Sequence, residues 1–243
     1  MSSASPILVP IAASLVALAA AVSGCASTQD ANKRASIQAD RTLASREALV
    51  LRGSDKDVQV VRTAVVSSKD GSAIVVLLRN RGDAPVNDLP IEVGERGADP
   101  LNARPNVPYF QSHAPAIAAG AEATWVYVTK EKIGAAPVYA RIGAPPAIAP
   151  KAERVPELDV TDAGAQDGKG GSSVVAEVAN DSGIPQYGLD VYAVARRGNR
   201  YVAAGRASLT HLGVNERTEL TLNLIGDAKG SQIQIYAPPT LFE

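Results

Sequence analysis

Ser72-Ala73-Ile74-Val75-Val76-Leu77-Leu78-Arg79-Asn80 returns 100 residues later, without a gap, as Ser172-Ser173-Val174-Val175-Ala176-Glu177-Val178-Ala179-Asn180. Each stretch starts at a serine, ends at an asparagine and is largely apolar between. The correspondence continues through Pro85 with Pro185, Leu89 with Leu189, Ile91 with Val191, and Val93 with Ala193. Further on, Gly120-Ala121-Glu122, Trp125 and Tyr127 match Asn215-Glu216-Arg217, Leu220 and Leu222. Each copy closes on the same tripeptide, at Ala144-Pro145-Pro146 and Ala237-Pro238-Pro239. Self-similarity at a fixed offset marks a duplicated structural unit. The chain is therefore read as two tandem copies of one domain.

Each copy has the pattern of short strands. Val58 and Val60, then Thr63 and Val65, lead to the turn signal Asp70-Gly71; in the second copy Leu158 and Val160 lead to a Gly-rich turn at Asp167 to Gly171. Leu89, Ile91 and Val93 recur with period two, as do Leu189, Val191 and Ala193, which is the spacing of a half-buried strand. Further strands are expected over 124–129 and 218–224, and over 137–142 and 232–236. Turn residues recur every 8 to 12 positions, and no 12-residue helical stripe follows Leu51. Six or seven short antiparallel strands per copy predict an all-β chain of two tandem immunoglobulin-like antiparallel β-sandwiches. The expected boundaries are 53–146 and 153–243.

The second copy carries a family resemblance. Its Val175 to Val178, Asn180, Gly183, Leu189-Asp190-Val191-Tyr192-Ala193-Val194, Arg197-Gly198 and Ala204-Gly205 resemble the FxLYD and CARDB-like modules of prokaryotic envelope proteins. In that pattern a strand ends in Asn before a Gly-containing turn, and a strand with an aromatic near its end precedes a Gly turn. Tyr192 stands at the aromatic position, although Ala-Val-Ala follows where the pattern has an acidic turn. The resemblance covers about 80 residues by the turn chemistry that carries it. It implies extracytoplasmic accessory modules and no catalytic residues.

Ahead of the repeat, an apolar run from Ile7 to Val22 ends in Val22-Ser23-Gly24-Cys25. Two small residues before the only cysteine are the layout of a bacterial lipoprotein signal, in which the Cys25 thiol takes the lipid. Residues 1–24 are then the signal peptide, and the bulk of the chain is extracytoplasmic, held to a bacterial membrane. The first ten residues hold no Lys or Arg, unlike the usual basic start of a signal. An uncleaved membrane anchor, or a leader cut elsewhere such as after Ala26, are the alternatives. Residues 25–52 are polar, with alternating charges, and read as a tether. As a flexible coil, ~25 residues reach roughly 25–30 Å on average.

Composition narrows the classes of function. The 24 basic residues balance 25 acidic ones, so no net field draws the chain to nucleic acid. A single cysteine allows neither an intramolecular disulfide nor a Cys-based metal site, leaving the core to hold the fold. His113 and His211 fall at comparable places in the two copies and read as polar turn residues; a two-His metal site across the domains is the alternative. Asp167-Gly168-Lys169-Gly170-Gly171 lacks the spacing of a phosphate loop and sits where the first copy has its hairpin. Asp55, Asp57, Asp159 and Asp162 read as solvated strand ends, because no Asp-x-Asp-x-Asp-Gly loop is present. Trp125, Tyr127, Leu220 and Leu222 are expected to face a core.

One segment differs between the copies. Asn80 to Gly120 spans 40 residues and Asn180 to Asn215 spans 35, so the first copy carries about five more. They fall near Asp99 to Phe110, a Pro- and Asn-rich stretch ending in two aromatics. It reads either as a long partner-binding loop bearing Arg104, Tyr109 and Phe110, or as a crossing with the two aromatics tucked into the core. The expected function is a non-catalytic binding or assembly module without metal or cofactor. Its partners would be the membrane, through the lipid anchor, and an envelope protein or cell-wall polymer. The alternative is a ligand-capturing accessory of an envelope transporter or cell-wall enzyme, with an apolar pocket between the domains near Ala144 to Pro156.

Overall fold

The computed structural model describes residues 51, 54–87, 89–95, 107–134, 137–144, 155–168 and 171–240. The expected signal segment with Val22 to Cys25, nearly all of the expected tether, and Arg104 lie outside them. Among the described residues the chain is all-β, and no helix is long and apolar enough to cross a membrane. The first copy contains β1 (Val58–Ser68), β2 (Gly71–Asn80), β3 (Pro90–Glu95), β4 (Val107–His113), β5 (Glu122–Thr129) and β6 (Val138–Ile142). The second repeats the series as β7 (Asp159–Gly168), β8 (Gly171–Ala179), β9 (Gln186–Arg197), β10 (Arg200–Leu212), β11 (Arg217–Gly226) and β12 (Gln232–Tyr236). In the first copy two antiparallel three-stranded sheets form, ordered β1-β2-β5 and β4-β3-β6. The second has the equivalent halves, β7-β8-β11 and β12-β9-β10, joined into one six-stranded sheet.

The join is made at a corner of β11. As far as Asn223 this strand pairs with β8, and from Leu224 to Gly226 it pairs with Gly205 to Ala203 of β10. Two glycines permit it. A Cβ on Gly205 would lie 2.2 Å from the Asn223 carbonyl oxygen, and one on Gly226 would lie 2.2 Å from that of Val202. Gly226 also has a φ of 106°, where L side chains are strained. The sheet curls enough to bring its end strands β7 and β12 together.

The repeated Ser…Asn stretch forms the centre of each unit, and its polar ends are locks. Buried Ser72 and Ser172 each accept a hydrogen bond from a distant backbone amide, Ile133 N at 2.8 Å and Ala228 N at 3.1 Å. At the other end, Asn80 and Asn180 are wholly buried. The Asn80 amide donates to the carbonyls of Ala84, Ile117 and Ala118 and accepts from Gly82 N. Asn180 does the same with Ile184, Leu212, Gly213 and Ser182 N. A buried polar side chain is tolerated only with its bonds made, and here they knit a turn to the strand that follows it. Asn180, although part of an Asn-Asp-Ser glycosylation sequon, is thus inaccessible.

Strand phase explains the rest of the core. Val58 and Val60 face inward; the ladder then shifts between Val60 and Arg62, and Thr63 and Val65 take over opposite Val76 and Ile74. That bulge leaves Val61 46% exposed. Trp125 is buried opposite Val76 and Leu222 opposite Val174, while Tyr127 and Leu220 pack partly buried against the two cores, as expected.

Candidate functional site

The centre of the outer face of β1-β2-β5 is covered. Cross-strand register places Ala64, Val66, Ala73, Val75, Thr124 and Val126 on the face opposite Trp125. Ala73, Val75 and Val126 have no exposed surface. They pack against Tyr192, Val194, Tyr201 and Ala204 on the outer face of β9 and β10, in a single cluster continuous with the first sandwich's core. Burying one valine stabilises by about 1.5–3 kcal/mol, so this junction is held much as a core is. At its rim Arg62 donates to the Asn199 side chain at 2.9 Å and to its carbonyl at 2.6 Å. Two guanidinium groups stand over the Tyr201 ring, Arg62 at 5.2 Å and Arg196 at 5.4 Å from its centre.

Tyr192 is buried in this junction. Burial, and then the neighbouring Asp190 carboxylate, raise its hydroxyl well above the ordinary tyrosine range. Asp190 is itself held by Arg206 at 3.0 Å and by Ser208 at 2.5 Å. A raised folded-state value means that above pH ~10 the unfolded chain loses this proton while the folded chain keeps it. Stability then falls with rising pH. Denaturant midpoints measured from pH 8 to 11.5 are expected to drop beyond pH 10, and to drop less steeply in Tyr192→Phe. Identical slopes for both proteins would contradict the assignment.

Beside the junction the domains leave a cleft of about 310 Å³, at the lower end of the range for small-molecule sites. Ala116, Glu122, Ala123 and Thr124 of the first sandwich form one wall; Leu158, Val160, Ile235, Tyr236, Ala237 and Pro238 form the other. The β5 ladder sets Glu122 on the same outward face as Thr124 and Val126, and β12 presents Tyr236 opposite Tyr192. This cleft is centred on β5, β7 and β12, where packing of the two sheets places it. The pocket expected near Ala144 to Pro156 falls almost wholly outside the described residues.

Other sequence candidates resolve differently. Tyr109 and Phe110, expected in a loop or a crossing, belong to strand β4, with Phe110 opposite Val93. The stretch is strand from Val107 because its backbone continues the β3 ladder despite the prolines. His113 and His211 are not repeat mates. The ladder sets His113 opposite Pro90, while the residue opposite Asp190, the mate of Pro90, is Ser208. His211 instead packs its ring 4.9 Å from Tyr187. Asp55 caps the start of β1, accepting from Asp57 N and Val58 N. Asp167 and Gly168 end β7 and Gly171 begins β8, with Gly168 opposite Gly171; Lys169 and Gly170 lie outside the described residues. Among the described residues no three His, Cys, Asp or Glu side chains are grouped to hold a metal.

No family model and no curated protein matches this chain. Among solved structures it is similar to two complexes of the Amycolatopsis orientalis exo-chitosanase CsxA with PNP-beta-D-glucosamine, both 16% identical. Their TM-scores are 0.29 and 0.26, over 74% and 72% of this chain. The chain spans only 25% of those structures, and a likeness of this degree assigns no function.

Proposed function

We propose that this chain is a lipid-anchored, extracytoplasmic binding module without catalytic activity, whose interdomain cleft captures a small ligand for an envelope transporter or cell-wall enzyme. The observation that carries the reading is the cleft itself, walled by both sandwiches at a junction packed like a core. Walls fixed before the ligand arrives lower the ordering cost of binding. The Val22-Ser23-Gly24-Cys25 sequence supports the anchor, and the resemblance to FxLYD and CARDB-like modules supports an accessory role outside the cytoplasm. Tandem sandwiches on a polar tether would hold the cleft clear of the lipid surface.

The anchor is testable on its own. In bacterial cells fed a fatty-acid analogue, the wild-type chain should be labelled and recovered with membranes. Cys25→Ser should lose both properties. Label retained by Cys25→Ser would end the lipoprotein reading, and crosslinking with mass spectrometry of the anchored protein would identify its neighbours.

A further inference from the structure

We propose that the cleft is a seat for an organic cation, a protonated amine carried on a short apolar body; this rests on the ligand-capture reading above. The chemistry of the walls selects for it. Leu158, Val160, Ile235 and Pro238 supply apolar surface, and among the described residues Glu122 is the one ionised side chain lining the cleft, with no Lys, Arg or His. Arg79 stands directly opposite Glu122 in the β2–β5 ladder, yet among the described residues the Glu122 carboxylate makes no ion pair or hydrogen bond.

The second polar group points to the same ligand sign. Tyr236 donates its hydroxyl proton to Gln234 Oε1 at 3.0 Å, so its oxygen has lone pairs to offer and no proton. Its ring adds the negative face that attracts ammonium groups. A carboxylate, an accepting phenol oxygen and an aromatic face together complement N–H donors with positive charge. The same set repels an anion and gives a neutral alcohol only the weaker hydrogen bonds. The apolar wall formed by β7 and β12 then takes the ligand's body, whose burial supplies the remaining affinity.

Three probes of one shape and different charge separate the possibilities: phenethylamine, 2-phenylethanol and phenylacetate, titrated into the full-length chain and followed by NMR. Phenethylamine should bind and shift the Tyr236 resonances. Glu122→Gln, an exposed substitution with an unchanged denaturation midpoint, should weaken it at least tenfold. Phenylacetate should not bind. If phenylacetate or phenylethanol binds the cleft as well as the amine does, or if Glu122→Gln leaves amine affinity unchanged, the cation assignment falls while ligand capture stands. If none of the three perturbs Tyr236, both readings fall.

Discussion

Asn180→Ala is expected to lower the stability of the chain by about 3–5 kcal/mol, the cost of leaving several buried polar groups without partners. The amide of Asn180 serves the carbonyls of Ile184, Leu212 and Gly213, at 2.9, 3.3 and 3.0 Å. Its oxygen receives Ser182 N and, at 2.6 Å, the Ser182 hydroxyl. Alanine removes all of them at a site with no exposed surface. Asn180→Asp sharpens the test because the shape is kept. An ionised carboxylate would face three carbonyl oxygens, so the loss at pH 7 should equal or exceed that of alanine. It should shrink as the pH falls through the variant's raised carboxyl value, since the protonated form regains one donor. Urea denaturation at pH 7 and pH 4 measures both effects. A loss below about 1 kcal/mol would show that the lock contributes little.

Gly226→Ala should cost about 3 kcal/mol or more, combining backbone strain with overpacking. The new Cβ would meet Val202 O at 2.2 Å, Val66 Cγ1 at 2.8 Å and Ala203 Cα at 3.0 Å. Two of these three belong to backbone paired in the β10–β11 corner and cannot withdraw without breaking it. The third is a side chain of the other sandwich. Val66→Ala in the same background should therefore return only a minor part of the loss. Full recovery on trimming Val66 would place the strain at the junction and not in the corner. Denaturation midpoints of the two single variants and the double variant decide between these outcomes.

Much of the fold was readable because the determinants are local. Ser72…Asn80 and Ser172…Asn180 repeat because each end holds a buried hydrogen bond, and Gly120 and Asn215 match because both adopt positive φ, 70° and 56°. The change of phase from Val58 and Val60 to Thr63 and Val65 is the bulge at Val61. Strand β10 was not anticipated: Tyr201, Ala203, Ala204 and Gly205 are apolar or small because both faces are covered, which removes the alternation that announces a strand. The uninterrupted Ala73 to Leu78, against Glu177 within the second copy, carried the same signal of two-sided burial. The cleft at β5, β7 and β12 was not anticipated, because it depends on how one sheet docks on another and periodicity within a strand contains no record of that.

The twofold covering of β2 makes the two halves unequal. The second sandwich closes a core of its own, and its outer-face Tyr192, Val194, Tyr201 and Ala204 cover the outer face of the first. Synthesis runs from the amino end, so the half whose second face awaits this cover leaves the ribosome first. Its bare valines must wait until β9 and β10 have been made, a delay during which an open apolar sheet face is prone to misassociation. Cutting the gene between the halves would bare Ala73, Val75 and Val126 on one product and Tyr192, Val194 and Tyr201 on the other.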